Sequence, residues 1–227
     1  EKVPTAMCWD RTGKAPIGVR WVDIHKGDKV HPEYRSRLVA KEINTGKRED
    51  LFAATPPLEA KKLLMSMAVT EGIGFRRGNR QAGMKLDFID VRRAYFHANA
   101  RREVFVQLPD EDYEEGMCGK LNKAMYGTRD AAQNWEYEYC EFMESIEMRR
   151  GRASPCVFNH STRNLRAVVH GDDFTILGNQ EDLDWFRRMI SERYEVKFRG
   201  RIGPEESDDK AIRLLNRVIT WTETGIK

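Results

Sequence analysis

Acidic residues set inside apolar runs constrain this chain more than any other feature. Leu86-Asp87-Phe88-Ile89-Asp90-Val91 has the aliphatic and aromatic content of a strand, yet it carries two carboxylates. Leu165 to Val169 and Phe174 to Leu177 are two more apolar runs. Between them lies His170-Gly171-Asp172-Asp173, which predicts a tight β-hairpin with the acidic pair at its turn. Side chains alternate along a strand, so Asp87 and Asp90, three positions apart, should face opposite ways, and Asp87 is not grouped with the others.

Asp90 and Asp172 are 82 positions apart (172 − 90). Clustered in space, Asp90, Asp172 and Asp173 would repel one another unless cations bridged them. Hard oxygen ligands of this kind suit Mg²⁺, which keeps its remaining ligands as water and phosphate. Two such ions about 4 Å apart clamp the attacking and leaving oxygens of a phosphoryl transfer. Two plainer readings stand beside this one: an Asp-Asp pair also serves as a turn that bonds its own backbone, and Asp90 also suits a helix cap.

The rest of the chain is consistent with a mixed α+β catalytic unit. Of 227 residues, 40% are apolar, enough for one large domain or two closely packed ones, while the 33% that are charged imply a heavily charged surface. No run approaches the roughly 20 apolar residues of a membrane span, and no charged-then-apolar leader opens the chain. The expectation is therefore an intracellular protein, in cytoplasm or nucleus, with no membrane partner. A net charge of +3 does not argue for nucleic acid by itself. Arginine pairs at 76–77, 92–93, 101–102, 149–150 and 187–188 would contact phosphates if they lined one groove, and would otherwise be solvated. Cys8, Cys118, Cys140 and Cys156 lack zinc-ligand spacing and read as buried thiols.

Periodicity predicts a basic hairpin from Gly18 to Glu42 that turns at Lys26-Gly27-Asp28. A helix from Leu58 to Val69, opened by Thr55-Pro56-Pro57, should end near Gly72 or Gly74. Further elements are a strand at Val104 to Leu108, helices over 128–147 and 181–193, and a strand at Tyr194 to Phe198. In the second helix Ala131, Trp135, Tyr139, Phe142 and Ile146 form an inward stripe.

Asp90-Val91-Arg92-Arg93-Ala94-Tyr95-Phe96 resembles the first catalytic motif of reverse transcriptases, and Asp172-Asp173 after an apolar strand resembles the second. Val104-Phe105-Val106-Gln107-Leu108-Pro109 and Gly119-Lys120-Leu121-Asn122-Lys123-Ala124-Met125-Tyr126-Gly127 are similar to a stretch peculiar to copia-type retrotransposons. Tyr34 to Lys41 resembles that family's fingers, and Asp50-Leu51-Phe52 through Thr55-Pro56 the segment before its first helix. The likeness runs from about Trp21 to the C-terminus, in the family's order.

This resemblance implies an α+β palm-and-fingers fold with an antiparallel palm sheet packed on helices. It implies a fingers-like part at 1–83, a palm at 84–200 with a fingers contribution from about 104–130, and a C-terminal extension beginning at 201–227. The implied activity is that of an RNA-directed DNA polymerase, a nucleotidyltransferase that adds deoxynucleotides to a primer 3′-hydroxyl. Asp90, Asp172 and Asp173 would hold two Mg²⁺ or Mn²⁺ ions, with the Val91 carbonyl as a further ligand. Arg37 and Lys41 would lie near the triphosphate, Tyr95 against the sugar, and Gly127 where backbone approaches nucleotide or template. The implied partners are an RNA or DNA template with its primer, deoxynucleoside triphosphates, and the remainder of a retrotransposon polyprotein. The alternative is an inactive transposon remnant that binds nucleic acid without polymerising. Four positions depart from the family pattern: His170-Gly171 replaces Tyr-x before the acidic pair, and Asp130 and Ala132 replace Gln and Pro. Asp130 is expected to bring negative charge near a phosphate path.

Overall fold

The computed structural model describes residues 1–25, 27–28, 30–43, 53–214 and 217–227. Lys26 of the expected hairpin turn and the Asp50-Leu51-Phe52 stretch lie outside the described residues. The chain opens with β1 (Lys2–Pro4), α1 (Thr5–Thr12), β2 (Val19–His25), β3 (Tyr34–Ala40) and α2 (Leu58–Ala68). Then come β4 (Lys85–Val91), α3 (Ala94–His97), β5 (Phe105–Val106), β6 (Met117–Lys120) and α4 (Ala131–Ser145). The remainder is β7 (Arg149–Arg150), β8 (Val157–His160), β9 (Leu165–His170), β10 (Asp173–Gly178), α5 (Gln180–Arg193), β11 (Val196–Ile202), β12 (Ala211–Leu214), β13 (Arg217–Thr222) and β14 (Gly225–Ile226). The fold class is α+β, with antiparallel ladders between the named strands. No helix among the described residues is long and apolar enough to cross a membrane.

Two compact units emerge, both discontinuous in sequence: Glu1–Ala53 with Ala94–Glu138, and Ala54–Arg93 with Tyr139–Lys227. In the first, β2 and β3 form the expected basic hairpin, in register from Val19 opposite Ala40 to His25 opposite Tyr34. β1, β6 and β5 form a small sheet that closes over Val3, Cys8, Phe105 and Cys118. Val104 and Val106 meet Ala40 and Met125 in a second cluster. The expected strand from Val104 to Leu108 keeps only Phe105 and Val106 in its ladder. Beyond them the Gln107 amide donates to the Ile17 carbonyl at 2.8 Å, and Pro109 has no N–H to extend the pairing.

The second unit is built on a six-stranded sheet in the order β11-β4-β10-β9-β8-β7. β4 lies between β11 and β10 and is buried at every position except the half-buried Asp90, which is why its sequence does not alternate. α2 follows Pro57, which supplies a fixed extended approach, and ends at Ala68, four residues before Gly72. Its Leu64 and Ala68 join Met84, Leu86, Phe88, Val168, Leu177, Ile202 and Trp221 in the main core. α5 turns Leu183, Phe186 and Ile190 inward, each fully buried, at the i, i+3, i+7 spacing of one helical face. All four cysteines are buried thiols, as expected.

β4 also explains how a carboxylate survives in this core. Asp87, 1% exposed, accepts two bonds from Arg201 (2.6 and 2.8 Å) and two from Arg187 (2.7 and 2.9 Å). Arg201 also donates to Asp184 at 2.7 Å. Bidentate guanidinium–carboxylate pairs satisfy every acceptor position of the carboxylate, which makes burial tolerable. Arg201→Met should therefore cost about 3 kcal/mol, because it strips the inner pair from a buried anion. Urea unfolding of wild type and variant would measure the loss, and an unchanged midpoint would show that Arg187 alone suffices.

Candidate active site

The register of β4, β9 and β10 gathers the three aspartates. Asp90 stands opposite Asp173 across the β4–β10 ladder, and Asp173 stands opposite His170 across the hairpin. Only Gly171 and Asp172 are left to make the turn. Gly171 takes φ 62° while Asp172 does not take a positive φ, the pattern that a two-residue type II′ loop demands at its first position. The Val91 amide donates to the Asp172 carbonyl at 2.9 Å and ties the turn to the end of β4. Ligand oxygens of Asp90, Asp172 and Asp173 consequently lie within 4.8 Å of one another. Asp87, on the opposite face of β4, takes no part.

Electrostatics leave this cluster short of positive charge. Asp172 is exposed, Asp90 half-buried and Asp173 buried. Burial raises the Asp173 carboxyl above the usual 3.8; Arg199 opposes this, the Asp172 and Asp90 charges add to it, and Lys61 also opposes it. Among the described residues its Oδ1 has no hydrogen-bond donor, and the buried Lys61 Nζ on α2 has no acceptor. Arg199 Nη2 lies 2.8 Å from Asp90 Oδ1 and 3.4 Å from Asp173 Oδ1. A buried carboxylate oxygen without a donor, next to two more carboxylates, is a donor set that suits a hard divalent cation.

The other residues singled out from sequence fall in the first unit. Arg37 and Lys41 are exposed on and just after β3. Tyr95 on α3 packs its ring 4.5 Å from that of Tyr126, Phe96 meets the same ring edge-on at 5.5 Å, and the Arg37 guanidinium lies 5.4 Å over it. Gly127 takes φ 87°, and a Cβ there would collide with the Ala40 carbonyl oxygen. The close backbone approach at this glycine is thus to β3, whose Ala40 amide donates to the Tyr126 carbonyl at 2.8 Å. Lys41 runs its side chain over Gly18.

Asp130 brings no free charge to this surface. Arg102 donates to it at 2.9 Å and Asn134 at 3.0 Å, and the same guanidinium bonds Glu42. Burial would push the Asp130 carboxyl up, but these partners more than offset it and hold it below the usual range. Ala132 occupies the first turn of α4, half-buried, where its backbone needs no proline. Most of the arginine pairs examined as phosphate contacts have local partners as well. Arg92 and Arg93 both bond Glu195, Arg102 holds Glu42 and Asp130, and Arg187 holds Asp87.

Three residues of these sites carried no signal strong enough to find in the sequence. Lys61 resembles any lysine of a helix surface, Arg199 lies just past the strand expected at Tyr194 to Phe198, although β11 runs from Val196 to Ile202, and Tyr126 belongs to a motif that does not mark it as the ring on which Arg37, Tyr95 and Phe96 converge. Arg93, the residue that turns the chain out of β4, takes φ 54°, an uncommon conformation for a side chain of its size.

Three aspartates are thus presented by β4 and the neighbouring β9–β10 hairpin of a six-stranded antiparallel sheet. The family model for "Reverse transcriptase (RNA-dependent DNA polymerase)" matches residues 8–203, so the chain belongs to that family. It is similar to the retrovirus-related Pol polyprotein from transposon TNT 1-94 of Nicotiana tabacum, 25% identical over 182 residues, which is 75% of this chain and 13% of that protein. It is likewise similar to the retrovirus-related Pol polyprotein from transposon RE1 of Arabidopsis thaliana, 24% identical over 206 residues, 83% of this chain and 13% of that protein. The resemblance to copia-type reverse transcriptases read from the motifs is borne out. The chain spans about an eighth of the length of these curated relatives.

The raised Asp173 carboxyl has a consequence for stability in metal-free buffer. Between the unfolded value near 3.8 and the higher folded value, the folded chain keeps a proton that the unfolded chain releases. The Asp173 contribution to stability therefore falls as pH rises through that window. Asp173→Asn removes the dependence, so melts in EDTA at rising pH above about 4 should show the variant gaining on wild type. A constant gap across that range would show that Asp173 ionises freely in the fold.

Proposed function

We propose that this chain is the polymerising part of an RNA-directed DNA polymerase, and that Asp90, Asp172 and Asp173 hold two Mg²⁺ ions, for which Mn²⁺ can substitute. The observation that carries this reading is the approach of the three carboxylates within 4.8 Å in a chain of the reverse transcriptase family, with a buried Asp173 oxygen that lacks a donor. The reaction is attack of a primer 3′-hydroxyl on the α-phosphate of a deoxynucleoside triphosphate, with pyrophosphate leaving. Bound divalent ions would supply Lewis acidity toward the hydroxyl and countercharge for the phosphates.

The protein's own contribution is positional. Asp173 is fixed by the β9–β10 turn and Asp90 by the central strand, so two ligands are pre-organised on rigid ladders while Asp172 stays accessible at the turn. We take the unit that holds the three aspartates as the palm and the unit with the basic hairpin as the fingers. In the fingers, Arg37 and Lys41 would meet the triphosphate, and Tyr95, braced against Tyr126, would press on the sugar and disfavour a 2′-hydroxyl. Gly127 would keep β3 and the turn at Tyr126 close enough to hold that surface in shape. The Val91 carbonyl remains a candidate further ligand. The partners would be an RNA or DNA template with its primer, and the rest of a Pol polyprotein.

Primer extension on poly(rA)·oligo(dT) with dTTP and Mg²⁺ tests the reading. Wild type should extend, and an Asp172→Asn, Asp173→Asn double variant should lose at least about a thousandfold in rate, the scale of removing metal-held transition-state charge stabilisation. A wild-type chain that melts cooperatively, binds duplex in a salt-sensitive way and never extends would favour a non-polymerising remnant instead.

A further inference from the structure

An irregularity in β11 sorts its two arginines onto opposite faces. Lys197 pairs with Asp90 and Phe198 with Ile89, but the next pair is Gly200 with Phe88 and then Arg201 with Asp87. One residue of β11, Arg199, is therefore extra in the ladder: a β-bulge. In a regular strand Arg199 and Arg201 would lie on one face. The bulge separates them. Arg201 turns to Asp87 on one side of the sheet while Arg199 turns to Asp90 and Asp173 on the other. Gly200 makes the bend workable, since a Cβ there would lie 2.8 Å from the Asp209 carboxylate.

The two arginines differ in how firmly they are held. Arg201 is 10% exposed and makes bidentate bonds to Asp87, with Asp184 engaging its remaining nitrogen. Arg199 is 37% exposed, and among the described residues its guanidinium hydrogen-bonds Asp90. It thus presents a single positive charge to the oxygens proposed to hold divalent ions, on a side chain that can swing into solvent at small cost. Three carboxylates faced by Arg199 and Lys61 still carry excess negative charge. A divalent ion on the same oxygens would repel Arg199, and the guanidinium would be free to turn toward an anionic substrate.

We infer that Arg199 is an internal counter-cation that occupies the carboxylate cluster and is exchanged for a divalent ion, so that it sets the ion concentration at which the site loads. This rests on the metal-site reading above. It gives a role to an arginine that alternation from Lys197 keeps on the cluster's face while the bulge sends Arg201 to Asp87.

The test is Mn²⁺ binding to the full chain, read by electron paramagnetic resonance of the free ion, with no substrate present. The comparison is wild type, Arg199→Gln, Arg199→Lys and the Asp172→Asn, Asp173→Asn double variant. Arg199→Gln should bind Mn²⁺ about tenfold more tightly than wild type, the effect of removing one partly buried competing charge, and Arg199→Lys should fall between them. In EDTA Arg199→Gln should melt below wild type and recover more on Mn²⁺ addition, because binding to the folded state alone stabilises it. A gain in affinity is not an effect that general damage to the fold produces. Equal affinity in wild type, Arg199→Gln and Arg199→Lys, lost only in the aspartate variant, would overturn the exchange and leave the metal site standing. If every folded chain fails to bind Mn²⁺, both readings fall together. Should Arg199→Gln not fold, the Arg199→Lys isotherm decides alone: unchanged or weaker binding overturns the proposal.

Discussion

A single buried strand with an acid on each face governs the second unit. β4 runs through the interior of the sheet, so neither Asp87 nor Asp90 can be left to water, and each must be matched by positive charge from elsewhere. The two faces meet this requirement differently. Behind the sheet, Asp87 is saturated by two guanidinium groups and becomes a structural fixture. In front, Asp90 joins Asp172 and Asp173 in a cluster that its neighbouring cations do not neutralise. The same strand therefore supplies a locked ion pair and an open one, and the bulge in β11 is the device that lets one short basic stretch serve both.

Much of this was legible in the order of residues. The apolar runs around Asp90 and around Asp172-Asp173 announced a strand and a hairpin, and alternation alone separated Asp87 from Asp90. Of the expected helical stripe, Ala131, Trp135, Tyr139 and Phe142 are buried as their spacing indicates, while Ile146 lies just past the end of α4 and is half-buried. Family likeness in the motifs extended that local reading to a fold. What stayed hidden was contact between distant residues. The Arg199–Asp90 pair spans 109 positions, and a one-residue bulge leaves no mark on composition or period. Lys61 sits on a helix whose pattern allows it to face either way, and only the sheet beneath it decides. The charge expected of Asp130 near a phosphate path is taken up by Arg102, a partner 28 residues away that local sequence does not reveal.

The first unit shows a different economy. Its recognisable basic hairpin is held to the rest of the unit by backbone as well as side chains: the Ala40 amide donates to the Tyr126 carbonyl, and Gly127 takes a left-handed turn that brings the two segments into contact. That arrangement leaves Arg37, Tyr95 and Phe96 free to share one aromatic ring. A glycine whose sequence context suggested approach to a ligand has a sufficient reason in the protein itself.

The discontinuity of the two units bears on how the chain comes off the ribosome. Residues up to Ala53 belong with Ala94–Glu138, so about 85 further residues (138 − 53) must emerge before the first unit holds all its parts. Meanwhile β4, strongly apolar and with two of its sheet neighbours still unsynthesised, waits for β10 and β11, the latter more than 100 residues downstream. Its two aspartates are then a safeguard of another kind: charges within an otherwise sticky nascent segment hinder pairing with a neighbouring chain until the proper strands arrive.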